Sequence, residues 1–323
     1  MKRYLVYFLC FTLCLFSTPT LYSLLPARLK PSPDPDGGEE KQAAAYSESG
    51  FPDVIKVYRT AAGRVESIPI EEYVAGVLYA ELPPETPFEM QKSMAVVIRT
   101  YAVYHALCGD KGHDGADVCD NGNHCRAYDG GGVAKSISAA AYATRGEIVL
   151  YDGRVIDPIS HTMSFGETED ATDAFGAAVP YLKSVATPDP PFVFAGKYDN
   201  FYKTVELSKN EFASLMESGG YPIDKSTNHV NWISYMSKSQ SGRVKSAFIC
   251  GYEVPGKKLA EILSLTSTAI TVETGANGFV FTSAGIGHGV GFCEYGAWSM
   301  AEEGKNYREI IVHYFQGSYI ADN

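Results

Sequence analysis

The order of apolar and turn-forming stretches predicts an α+β fold of mixed helices and short antiparallel strands. Three observations carry it. Short strand-like and helix-like segments interleave without a steady βα rhythm, which argues against a doubly wound parallel sheet. Two strand pairs turn on hairpin signals, Ala62-Gly63 and Asp152-Gly153. The chain has 323 residues and is 45% hydrophobic, enough for one large domain or two small ones with real cores. Either one lobe or two lobes flanking a groove fits this order.

Taken in sequence, Lys2 and Arg3 precede an apolar, uncharged run from Tyr4 to Leu25. It is long enough to cross a bilayer, which takes about 20 residues. Basic residues ahead of it favour a cytoplasmic N-terminus and an exported remainder. Residues 1–25 therefore read as an uncleaved membrane anchor, with a cleaved signal peptide as the rival. Residues 26–52 are rich in Pro, Gly, Ser and acids and form a solvated tether. The globular part spans 53–323. Val54–Tyr58 and Arg64–Ile68 alternate as a hairpin.

Two helices follow between Ile70 and His105, joined at Pro83-Pro84. Tyr73, Val74, Val77 and Leu78 share one face, a buried stripe. Glu81 falls on that face one turn later. Partial desolvation there raises the pKa of a carboxylate, and the C-terminal end of a helix also disfavours its charged form. The bland alternative is that Glu81 ends a helix and points to water. Thr86, Pro87 and Glu89 read as a capping box for the second helix. Met90, Met94, Val97 and Tyr101 repeat at helical spacing behind it.

Downstream, Val133–Thr144 reads as a helix, and Glu147–Tyr151 with Arg154–Ile159 as a hairpin. Residues 160–178 are irregular, and prolines break 185–200. Phe201–Leu207 reads as a strand, and Ser208 and Glu211 cap a helix reaching Glu217. Arg243–Cys250, Ala269–Glu273 and Gly278–Phe281 are strand-like. Gly256–Leu263, Glu294–Glu303 and Tyr307–Phe315 are helical.

The formal net charge of -11, with no cluster of Lys and Arg, excludes a nucleic-acid footprint. Seven cysteines, an odd and scattered set, are no disulfide framework.

Three constellations could carry chemistry. His113, Cys119, His124 and Cys125 match a tetrahedral zinc set, with Asp114, Asp117 and Asp120 as candidate acceptors for imidazole N–H groups. Four protein donors leave no open position, so such a zinc is structural. A Cys119–Cys125 disulfide, or free thiols beside surface histidines, are the other readings. Gly285 to Gly291 alternates glycines around His288, which lets the backbone approach a neighbour closely. No Gly-Lys-Ser/Thr follows, so it is not a phosphate loop. His288 is either a substrate contact or a turn histidine. Third, Ser160 to Ser164 with Gly166 to Glu169 is a polar, mostly small-residue loop suited to sugar hydroxyls.

Together these segments resemble the stage II sporulation protein D family. Glu72-Tyr73-Val74-Ala75-Gly76-Val77 through Glu81-Leu82-Pro83 and Ala95 to Ala102 match its opening signature. Thr144 to Glu147, Ser164 to Glu169, Val179 to Val185 and Gly287 to Phe292 follow in the family's order. The resemblance implies a lytic transglycosylase that cuts β-1,4 MurNAc–GlcNAc bonds of denuded peptidoglycan strands during engulfment, leaving 1,6-anhydroMurNAc ends. It implies Glu81 as the single catalytic acid/base and a zinc site like that of some clostridial members. It further implies a stage II sporulation protein P amidase and a membrane scaffold protein as partners. The globular part would then lie outside the cytoplasm, in the intermembrane space. Tyr101, Ser160, Thr162, Ser164, Thr168 and His288 are the expected substrate-binding residues, with Tyr101 or Tyr104 supporting Glu81. The chain departs from the family at Phe292-Cys293-Glu294, where Met-Ser-Gln is usual, and at Phe165-Gly166 and Ala174-Phe175-Gly176. A non-catalytic peptidoglycan binder that stimulates an amidase is the alternative. A zinc hydrolase finds no helical His-Glu-x-x-His, and a Cys125 peptidase would place its nucleophile among metal-type donors.

Overall fold

The computed structural model describes residues 50–83, 85–108, 112–113, 115–131, 135–189 and 201–322. The expected anchor and nearly all of the tether lie outside these residues. Among the described residues no helix is long and apolar enough to cross a membrane.

Among the described residues there are two large hydrophobic cores and a small third cluster around Val103 and Ile148, and one lobe is an insertion in the other. The first lobe opens with the antiparallel hairpin β1 (Val54–Arg59) and β2 (Arg64–Pro69), joined in parallel by β3 (Val118–Cys119). Helices α1 (Ile70–Glu81), α2 (Phe88–Cys108) and α3 (Lys135–Ala143) pack together. Strands β4 (Ile148–Tyr151) and β5 (Arg154–Val155) make the second hairpin, followed by β6 (Ser160–His161), β7 (Gly166–Glu167), α4 (Ala171–Phe175) and β8 (Ala186–Thr187). After the second lobe the chain returns through β15 (Phe292–Cys293), α7 (Glu294–Glu302), α8 (Tyr307–Tyr314) and β16 (Tyr319–Ala321). Strand β16 pairs with β4, so the C-terminal segment closes the first core.

The stripe expected on α1 is buried as read, with Tyr73, Val74, Val77 and Leu78 at 0% exposure. Helix α2 is buried on nearly every side, which is why its apolar residues crowd past a single stripe. Its interior cation, Arg99, forms a two-pronged bond to Glu71 of α1, with Nε–Oε1 2.9 Å and Nη2–Oε2 2.6 Å. The same guanidinium donates to the carbonyls of Ala141 at 2.9 Å and Glu147 at 3.1 Å. One buried cation thus ties α1, α2, α3 and the start of β4. The capping box expected at Thr86 does not form. The Thr86 hydroxyl donates to the Pro83 carbonyl, and the Glu89 carboxylate instead accepts the Tyr307 N–H at 2.9 Å, docking α8.

The second lobe holds two three-stranded sheets. One is β10 (Ile233–Lys238), β11 (Val244–Ile249) and β12 (Tyr252–Pro255), and the other is β13 (Ile270–Thr274), β14 (Gly278–Ala284) and β9 (Tyr202–Ser208). Helices α5 (Lys209–Ser218) and α6 (Gly256–Ile262) complete it around Phe212, Trp232, Phe279 and Phe281. The Ser208/Glu211 capping box of α5 is formed as expected.

The Gly285–Gly291 loop joins the lobes. Its four alternate glycines all have positive φ, from +73° to +96°. A Cβ would meet the Met163 carbonyl at Gly285, the Arg243 guanidinium at Gly289 and the Ile159 carbonyl at Gly291, each within 2.6 Å. Only glycine fits both the backbone and the space. The lobes are also pinned by Arg243, whose Nη2 donates to Ser164 Oγ at 2.8 Å. Ser239 and Ser241 add hydroxyl bonds to the Glu169 carboxylate.

Replacing Arg99 by Leu leaves Glu71 buried without its cation, and should cost about 3–5 kcal/mol in denaturant unfolding. A loss under about 1 kcal/mol would show that the pair does not hold the three helices together.

Candidate active site

The site is built where the end of α1, the loop after β3 and the start of α7 meet. Glu81 is the last residue of α1, and its side chain is 19% exposed. It does not sit in an apolar pocket. Arg126 Nη1 donates to its Oε2 at 2.8 Å, and the Ala127 N–H donates to its Oε1 at 3.2 Å. Glu81 is therefore neither a solvent-facing helix end nor an isolated buried acid, because both oxygens face donors.

Arg126 is the hinge of the cluster. Its other terminal nitrogen, Nη2, donates to Ser160 Oγ at 2.7 Å. Its guanidinium lies 5.6 Å from the ring centre of Tyr101, a cation–π contact. Burial works against its charge, but Glu81 and then Glu294 more than offset this and hold the guanidinium above its ordinary pKa.

Glu294 opens α7. Because Phe292 and Cys293 pair in parallel with Ser160 and His161, the next residue emerges beside Ser160. Glu294 is half-buried. Its pKa is pushed up to about 7, by burial first and by the charge of Glu81 second, while Arg126 and a hydrogen bond with Ser160 pull the other way. The desolvated carboxyl that the sequence led us to expect on α1 is thus present at Glu294.

The expected binding residues divide. Ser160 joins the cluster and Tyr101 backs it, its hydroxyl held in un-ionised form chiefly by burial. Tyr104 packs with His105 and belongs to a separate small apolar cluster with Val103, Ile148 and Leu150. Thr162 is half-buried, and its carbonyl receives the Tyr295 N–H. Thr168 is buried and accepts the Val185 N–H at 2.9 Å, which ties β7 to β8. Ser164 is buried between Arg243 Nη2 and His161 Nε2, the latter at 2.7 Å. His161 Nδ1 lies 3.0 Å from the Val290 carbonyl, so Nδ1 carries the proton and Nε2 accepts from Ser164. This has the bond pattern of a nucleophile and its base, but Ser164 is 1% exposed and clamped by Arg243. It is a joint between lobes. His288 is exposed, and its Nδ1 accepts the Val290 N–H at 3.0 Å within its own turn.

His113, Cys119, His124 and Cys125 converge, with one donor atom from each lying within 4.8 Å of all the others. His113 Nε2 is 3.3 Å from Cys125 Sγ, and His124 Nδ1 is 3.5 Å from the same sulfur. Cys119 and Cys125 are free thiols, so no disulfide joins them. Two imidazoles and two thiols at these separations fit the edges of a tetrahedron around zinc. Asp117 and Asp120 turn to β1 and not to the imidazoles as expected. Asp117 accepts the Lys56 N–H, and Asp120 accepts from Arg59 and Thr60. Asp114 lies outside the described residues. The donor loop leads straight from Cys125 into Arg126 and Ala127, so its shape sets their position on Glu81.

A separate cleft of about 490 Å³ opens between Gln240 and the 167–173 and 183–186 stretches. Glu167, Glu169, Asp170 and Asp173 outnumber its one lysine, Lys183, and Glu81 is not in its wall.

Sequence reasoning missed Arg126 and Glu294 as site residues. Arg126 follows directly on a metal-type cysteine, and Glu294 is a charged residue placed just after the glycine loop. Both signals were visible, but neither has meaning until β15 and β6 are paired.

Fold and site define a class, a two-lobed α+β protein with an arginine-clamped carboxylate pair beside a Cys/His cluster. Residues 58–151 match the family described as Stage II sporulation protein. Stage II sporulation protein D of Bacillus amyloliquefaciens is 31% identical over 296 residues, covering 88% of this chain and 83% of that protein. An uncharacterised protein of Brachyspira hyodysenteriae is 34% identical over 267 residues, 80% of this chain and 68% of that one. The amidase enhancer of Bacillus subtilis is 24% identical over 289 residues, 75% of this chain but 39% of its own length. This chain belongs to the stage II sporulation protein D family.

A carboxyl whose pKa is higher folded than unfolded weakens the fold progressively as pH rises from its unfolded value to its folded one. Glu294→Gln should therefore match the parent near pH 4 and exceed it above pH 7, by at most about 3 kcal/mol. Equal melting temperatures at pH 8 would contradict the assigned environment.

Proposed function

We propose that this protein is a peptidoglycan lytic transglycosylase acting on β-1,4 MurNAc–GlcNAc bonds of strands without stem peptides. The observation that carries the reading is the placement of Glu81. A carboxylate stands at the end of a rigid, buried helix, held on both oxygens by N–H donors. Family membership supplies the substrate class.

The reaction makes two demands on the protein. The leaving oxygen of the glycosidic bond needs a proton, and the C6 hydroxyl of the same muramic residue must lose one as it attacks the anomeric carbon. Because the nucleophile belongs to the substrate, attack is intramolecular and no water need be positioned. A carboxyl at Glu81 can give the first proton and take back the second. Arg126 and the Ala127 N–H hold that carboxylate in place, and Tyr101 holds Arg126.

A zinc ion fits the four donors His113, Cys119, His124 and Cys125, and it would supply structural cross-linking, since four protein ligands leave no position for water or sugar. Its effect on the chemistry would be indirect, through the fixed position of Arg126.

The reading extends to context. The protein would act in sporulation, anchored by residues 1–25 with its globular part outside the cytoplasm. It would work beside a stage II sporulation protein P amidase that strips the stem peptides, with a membrane scaffold protein assembling the two. A second reading, a non-catalytic peptidoglycan binder that stimulates an amidase, is favoured by one observation, the similarity to the amidase enhancer.

Two measurements test this. Glu81→Gln should keep the fold and its metal while release of anhydro-ended glycans falls by about 10²-fold or more in mass spectra of amidase-treated strands. Release near the parental rate would end the enzymatic reading, and strand binding with no cleavage by the parent would favour the binder. Elemental analysis should find about one zinc per chain, lost in Cys119→Ser. Metal-free protein of parental stability and activity would contradict the structural role.

A further inference from the structure

Two tyrosines, one from each of the two central helices, lie beside both the Cys/His loop and the Glu81 cluster. Tyr101 of α2 hydrogen-bonds Cys125 through its hydroxyl, and its ring centre lies 5.6 Å from the Arg126 guanidinium. Tyr73 of α1 lies about two turns before Glu81 on the same face of that helix. Tyr73 is 0% exposed, and its hydroxyl meets no hydrogen-bond partner among the described residues. A buried tyrosine hydroxyl ordinarily finds one, because leaving it without is costly.

Packing keeps this hydroxyl from turning elsewhere. The Tyr73 ring stacks on Tyr128 with centres 5.6 Å apart. Tyr128 is seated on Gly76 of α1, where a Cβ would meet its ring at 2.4 Å. The direction of the hydroxyl is thus set by α1 and by the stretch that follows Arg126. Burial first of all raises its pKa, Glu81, Cys125 and Cys119 add to the rise, and Arg126 opposes them. The group therefore stays a donor and does not become a phenolate.

The neighbours sort by what they still need. Both Glu81 oxygens already accept N–H bonds, and Arg126 has no lone pair to offer. A thiol is a weak acceptor, but a metal-bound cysteine is a thiolate, and donors around it orient and stabilise it. We propose that Tyr73 is a positioning residue of the metal loop, whose hydroxyl donates to the Cys125 thiolate when zinc is bound. Together with Tyr101 it then fastens Cys125, and Arg126 after it, to α1 and α2. This rests on reading the loop as a zinc site and not on the chemistry given to Glu81.

The test sets the purified full chain against Tyr73→Phe, which removes only the hydroxyl, and against Tyr104→Phe, which removes one from the separate cluster around Val103. Zinc is stripped by a chelator under reducing conditions and titrated back against a competing chelator dye. Tyr73→Phe should bind zinc about 10–100-fold more weakly than the parent, and Tyr104→Phe should match the parent. Without metal the order reverses. Tyr73→Phe, relieved of an unpaired buried hydroxyl, should then melt no lower than the parent. Cobalt gives a second readout. With Co²⁺ in place of zinc, the sulfur-to-cobalt charge-transfer band should move to longer wavelength in Tyr73→Phe, while the visible bands of tetrahedral cobalt keep their intensity. Equal zinc affinity, or a charge-transfer band that does not move, overturns the proposal and leaves the zinc site standing. A metal-free Tyr73→Phe protein that melts below the parent makes the hydroxyl a packing group and overturns it too. A parent that binds no zinc removes the zinc reading, and this proposal with it.

Discussion

One cation between two carboxylates is the constraint on which the site depends. Without Arg126, Glu81 would keep only the Ala127 N–H, and one cation cannot neutralise both acids at once. A guanidinium suits this place better than an ammonium because its planar fork sends one nitrogen to each neighbour at a fixed angle. Burial of the cluster strengthens every term in it, including the repulsion between the acids. The unequal sharing of Arg126 then gives two chemically similar side chains different surroundings.

The rest of the first lobe holds that cluster still. Arg99 fastens α1 to α2, so Glu81 projects from a rigid rod. The parallel pairing of β15 with β6 sets Glu294 beside Ser160. The Cys/His loop, braced on β1 through Asp117 and Asp120, delivers Arg126 and Ala127. A buried cation, a two-residue strand pair and a candidate zinc loop thus meet in a single cluster of charged side chains. The second lobe touches this arrangement through Arg243 and the glycine loop. The acidic cleft between the lobes is a poor place for muramic acid, whose lactyl carboxylate is bared when the stem peptide is removed.

Much of the fold was legible in the chain. The stripe on α1, the capping box of α5 and both hairpins rest on local periodicity and turn chemistry, which the sequence shows directly. The inserted second lobe was not legible as a separate body, because nothing in composition marks the return of the chain to the first core. Strands β10 and β12 were overlooked because their exposed faces dilute the alternation. The metal-type set was readable because its donors lie within one loop. Arg126 and Glu294 were not, because their meaning comes from contacts with distant stretches of the chain, Arg126 with Glu81 and Glu294 with Ser160. The capping box at Thr86 failed for the same reason, since Glu89 is taken by α8 in a contact no local rule can foresee.

If the proposed function holds, glycan is cut at the cluster of Glu81, Arg126 and Ser160. The most direct measurement is a crystal structure of the Glu81→Gln protein soaked with a denuded glycan fragment. A glycosidic oxygen should lie within hydrogen-bonding distance of residue 81, beside the C6 hydroxyl of the same muramic residue. Sugar lying only along the acidic cleft between the lobes, with the cluster untouched, would contradict it.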